Sequence, residues 1–80
     1  MVKVRITNWR PGFRKVSHTK LIEEYTGFSS KLAKDYTDRI LSGETVTVEL
    51  PTLEAAKRFA RESRELGAVT EVEHQTSRAR

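Results

Sequence analysis

The sequence predicts an α+β fold: a two-layer β-α-α-β-α-β sandwich in which three helices cover one face of a three-stranded antiparallel sheet of order 2-1-3. Three short stretches alternate apolar and polar residues, as half-buried strands do. Between them lie three longer stretches whose apolar residues recur at helical spacing. Glycine or proline stands at the joints, where the chain must turn.

The first strand is read from Val2, Val4 and Ile6, which alternate with Lys3, Arg5 and Thr7. Arg10-Pro11-Gly12 follows as a turn, with proline suited to its first corner and glycine to its second. Ser17 is the expected N-cap of the first helix, His18, Leu21, Ile22 and Tyr25 its inner face, and Gly27 its stop. Ser29 or Ser30 caps the second helix, whose apolar stripe is Leu32, Ala33, Tyr36 and Ile40. On its outer face Lys31–Asp35, Lys34–Asp38 and Asp35–Arg39 stand at the spacing of helical ion pairs. Gly43 ends that helix, and Glu44 to Leu50 forms the second strand.

Pro51-Thr52 breaks the strand and caps the third helix, expected to bury Leu53, Ala56, Phe59, Ala60 and Leu66 before Gly67 stops it. Ala68 to Glu73 is the last strand, with an open register because Val69 and Val72 point to opposite faces. A crossover through one helix sets strands two and three parallel, and strand one fits between them, antiparallel to both. Residues 1–73 are thus expected to form one domain, and 74–80 a frayed tail carrying His74.

Composition narrows the function. Without cysteine the chain has no disulfide, thiolate nucleophile or cysteine metal site, which fits a reducing cytoplasmic setting. No stretch approaches membrane-spanning length. Fifteen basic against eleven acidic residues leave a formal charge of +4, compatible with nucleic acid but common in ordinary domains. The histidines, His18 and His74, have no metal-ligand spacing, and the scattered glycines build no phosphate loop. Asp35 and Asp38 are flanked by lysines and read as ion-paired surface. We therefore expect no enzyme, no cofactor and no metal, but a monomeric binding domain.

Thr26-Gly27, Leu32-Ala33-Lys34-Asp35 and Leu66-Gly67-Ala68 occur in the order and spacing of the C-terminal domain of the bacterial ribosomal stalk protein. The chain resembles that family over residues 2–73, and the same fold is shared by the ClpS adaptor. The resemblance implies a protein-binding domain whose first two helices contact translational GTPases, with Val16, Lys20 and Lys34 at the family's apolar and basic contact positions. Thr19 replaces an aliphatic residue there and Glu23 an arginine, and the family's dimerisation region and hinge are not among these residues, so a normal stalk role is not expected. Gly43 to Ala55 and Asn8 resemble ClpS, but Trp9-Arg10 replaces its acidic pair and Ile40 its pocket histidine, so capture of a cationic N-terminus is not expected either.

The leading expectation is an adaptor-like protein–protein interaction domain, with a link to translation, binding through Val16, Lys20 and Lys34. The alternative is RNA or single-stranded nucleic acid, bound through Arg5 on the open sheet face and the basic-aromatic loop of Trp9, Arg10, Phe13, Arg14 and Lys15. The open face should also carry Lys3, Thr7, Thr45, Thr47 and Glu49, with Lys3 or Arg5 paired to Glu49. On the third helix, Lys57, Arg58, Arg61 and Arg64 interleave with Glu54, Glu62 and Glu65, which predicts a lattice of ion pairs.

Overall fold

The computed structural model describes residues 1–73 as β1 (Val2–Trp9), α1 (Lys15–Thr26), α2 (Ser30–Leu41), β2 (Val46–Leu50), α3 (Leu53–Glu65) and β3 (Ala68–Glu73). The expected tail, with His74, lies outside the described residues. The sheet order is β2-β1-β3, and β1 is antiparallel to both neighbours. Val4, Ile6, Val46, Val48 and Leu50 turn inward and are buried against Leu21, Ile22, Ala33, Ile40, Phe59 and Ala60 of the helices. Each of the larger side chains contributes roughly 1.5–3 kcal/mol when fully buried, which makes this single layer boundary the main source of stability.

The helices depart from the sequence reading in ways that have local causes. α1 begins at Lys15, not after Ser17, because Arg14 is already anchored. Its N–H donates to the Leu66 carbonyl at 2.9 Å, while its own carbonyl accepts the first helical bond from His18 N–H at 2.9 Å. Ser17 therefore lies inside the first turn and caps nothing. Ser29, by contrast, does cap α2, its hydroxyl accepting from Leu32 N–H. α2 buries Ala33, Thr37 and Ile40, half-buries Tyr36 and leaves Leu32 exposed. Leu32 sits about a quarter-turn from the centre of that stripe.

α3 starts on the Thr52 cap and buries Ala56, Phe59, Ala60 and Ser63. Leu53, expected inside, is exposed, since side chains lean toward the helix N-terminus and this one leans off the end. Leu66 is half-buried just past the helix, as its cap. Gly67, at φ +102°, is required twice over: only glycine adopts that conformation freely, and a Cβ there would lie 2.9 Å from Phe13 Cα.

β2 is shorter than expected because Glu44 belongs to the turn, its N–H donating to the Arg39 carbonyl and its carboxylate meeting Arg39 Nε at 3.2 Å. β3 has the expected span, and its open register is settled by a bulge in β1: Ile6 faces Thr70 and Asn8 faces Val69, leaving Thr7 as the extra residue. The bulge reverses the alternation beyond it. Trp9 is set opposite buried Ala68 on the helix side instead of sharing a face with Arg5.

Candidate functional site

Two surfaces and one buried network hold the polar groups that could act. The first surface is the groove between α1 and α2, a cavity of about 210 Å³ lined by Lys15, Val16, Thr19, Lys34, Thr37 and Asp38. A three-residue connection makes the two helices a hairpin, so the start of α1 lies beside the second half of α2. Thr19 ties them together: its hydroxyl is 2.8 Å from Thr37 Oγ1 and 2.9 Å from the Lys15 carbonyl. Half-buried Thr19 thereby satisfies the hydroxyl of buried Thr37 where the two helices meet.

Val16 is 65 % exposed at the mouth of the groove. Lys34 stands across from it, held by Asp38 at 3.0 Å in an exposed pair of small energetic value. Of the three residues carried by the family likeness, Val16 and Lys34 thus share one groove. Lys20 lies one turn beyond Val16 on α1, exposed and outside the lining. The groove also recruits Lys15, assigned from the sequence to the loop, and Thr37, which no sequence argument singled out. Thr37 was legible only as the i+4 neighbour of Ala33 on the buried stripe.

The second surface is the loop after β1. Arg10 N–H donates to the Gly67 carbonyl at 2.8 Å and Arg14 N–H to the Leu66 carbonyl, which stitches the loop onto the α3–β3 turn. Phe13 is half-buried and its ring lies 5.2 Å from His18 and 6.4 Å from Trp9, so it seals the end of the core. Trp9 is 38 % exposed, and Arg10, Arg14 and Lys15 are exposed.

Arg5 does not join this loop. It projects from the opposite sheet face and its guanidinium meets Glu71 of β3 at 3.0 Å, not Glu49. Lys3 sits between Glu49 and Glu73 in the strand register. Thr45 lies in the turn before β2. Two cations among three carboxylates, with no aromatic, give the open face no attraction for phosphates. On α3 the expected lattice is absent: among the described residues, none of Lys57, Arg58, Arg61 or Arg64 reaches a carboxylate at ion-pair distance. Glu62 instead accepts from the Tyr25 hydroxyl at 2.8 Å, and Arg64 Nε donates to the Thr70 carbonyl at 3.0 Å. On α2 the pairs Lys34–Asp38 and Asp35–Arg39 form.

The buried network joins His18, Ser63 and Thr70. His18 Nε2 is 2.6 Å from Ser63 Oγ, which is 2.8 Å from Thr70 Oγ1. This is the spacing of a nucleophile and its base. Yet His18 and Ser63 have no accessible surface, so no substrate reaches them and the trio acts as a polar rivet between α1, α3 and β3. Burial lowers the His18 pKa to about 4 and keeps the ring neutral. Its Nδ1 has no partner, which favours the tautomer with the proton on Nε2, because an orphaned lone pair is less costly than an orphaned N–H.

Among the described residues no group of His, Asp or Glu side chains gathers to hold a metal ion, and no helix is long and apolar enough to cross a membrane. No protein-family model matches the chain, and no curated protein matches it.

Proposed function

We propose that this domain is a non-enzymatic, adaptor-like module that docks a protein segment in the groove between α1 and α2. The observation that carries the reading is Val16, an exposed aliphatic side chain at the mouth of a groove flanked by the ammonium groups of Lys15 and Lys34. A segment that fits presents one aliphatic residue to Val16 and an acidic group toward Lys15 and Lys20. Apolar contact supplies most of the affinity and the lysines set orientation and association rate.

The likeness to the ribosomal stalk domain supports the same surface, since Val16, Lys20 and Lys34 match that family's contact positions. It makes a component of translation the favoured partner, engaged by a monomeric domain. Thr19 and Glu23 depart from the family's pattern on this very surface, so the partner differs from a standard elongation factor in the residue it offers there.

The test is affinity capture from the native host with the full chain and with its Lys20→Glu/Lys34→Glu variant, followed by amide shift mapping with the recovered partner. Loss of the partner with the variant, and shifts centred on Val16, Thr19 and Thr37, are the expected results. Identical partners for both chains would overturn the reading.

A further inference from the structure

We propose a second binding surface, for single-stranded nucleic acid, where the β1–α1 loop meets the end of α3: Arg10, Arg14 and Arg64 take phosphates and Trp9 stacks on a base. The juxtaposition is tertiary. Arg10 and Arg14 are bonded through their backbones to Gly67 and Leu66, and the Gly67 N–H donates to the Arg64 carbonyl at 3.0 Å. Two loop arginines and one from the end of α3, distant in sequence, are therefore joined through the backbone at one turn, and Arg61 lies one helical turn back from Arg64 on the same side of α3.

Their charge is available. Among the described residues Arg10, Arg14, Arg61 and Arg64 form no ion pair, whereas Arg5, Lys34 and Arg39 all do. Glu65, on the last turn of α3, pairs with none of them, and Glu62 is occupied by Tyr25. Arg10 directly follows Trp9, which is 38 % exposed and has the Phe13 ring 6.4 Å away, itself 5.2 Å from His18. A part-exposed indole next to a loop of arginines without ion pairs is a platform for an unpaired base, and such stacking is indifferent to sequence. An acidic peptide would use the cations but not the indole face, which is why the nucleic acid is favoured.

This surface differs from the one read in the sequence. The bulge at Thr7 separates Trp9 from Arg5, the Glu71 contact removes Arg5, and Phe13 is half-buried 5.2 Å from His18. Arg64 takes the place of Arg5. The site is also separate from the groove at Val16, so either can fail while the other stands.

Trp9 is the chain's single tryptophan, so its emission reports the stacking directly. Short oligouridylate and oligothymidylate, titrated into the full chain at ~50 mM salt, should quench it saturably. Comparable quenching by both assigns a common single-strand site, and quenching by one alone assigns that nucleic acid as the ligand. Three phosphate contacts predict a log–log salt slope of about −2, and Arg10→Gln/Arg14→Gln should lower its magnitude by about 1.4. Neither of those side chains makes a hydrogen bond or ion pair among the described residues, so this variant should fold even if Arg64→Gln, which loses the bond to Thr70, does not. Val16→Ser should leave the titration unchanged. Absence of quenching, an unchanged slope in the arginine variant, or equal binding of duplex or polyglutamate without quenching would overturn the proposal.

Discussion

Acid should destabilise this domain through His18. The ring is fully buried in the folded state, where its pKa is held at about 4 by desolvation, against 6.5 in the open chain. Between those values the unfolded chain binds a proton that the folded chain refuses. The sign follows: stability is full above pH 6.5 and is lost as pH falls toward 4. The whole shift corresponds to about 3 kcal/mol, of which about 2 kcal/mol is gone by pH 5. A domain of this size has a net stability of only ~5–10 kcal/mol, so the loss is a large part of it. Urea denaturation followed by circular dichroism at pH 7 and pH 5 measures the difference. His18→Gln, without an ionisable ring, should be less stable at pH 7 but nearly flat across the same interval. A His18 ring that titrates near 6.5 by NMR in the folded chain would refute the reasoning, as would equal pH dependence of the two proteins.

Three further outcomes follow from the packing. Gly67→Ala must hold a Cβ at φ +102° and 2.9 Å from Phe13 Cα, so the urea midpoint should fall by the equivalent of about 2 kcal/mol or more. Ser29→Ala should remove about 1 kcal/mol with the α2 cap, whereas Ser17→Ala should change stability by less than about 0.5 kcal/mol, a contrast that thermal melts resolve. Arg5→Ala breaks a pair whose side chains are 47 % and 56 % exposed, so its cost should stay below about 1 kcal/mol and shrink further in high salt when melts are compared.

Val16 and Lys34 were legible in the sequence as candidate contact residues, but the groove they share was not. Val16 and Lys34 stand eighteen positions apart, and only the hairpin of α1 on α2 places them across one cavity. Ser63 shows the same limit from the inside. It falls on the buried stripe of α3 after Ala56, Phe59 and Ala60, so its burial was legible; its contact with His18 was not, because that depends on how two helices pack.

By itself the sequence determined the number, type and order of the elements, the 2-1-3 sheet, and which face of β2 and of β1 up to Ile6 is buried. Those follow from periodicity, caps and crossover length, which act within a few residues of the chain. Tertiary structure decided where α1 starts, since Arg14 is anchored by Leu66 rather than by a cap of its own. It also decided the β1 bulge that takes Trp9 off the open face, and the docking of Arg10 and Arg14 on the turn that follows Arg64. A one-residue bulge leaves no trace in an alternating pattern, because its position is set by the strand paired beside it and not by the strand that carries it.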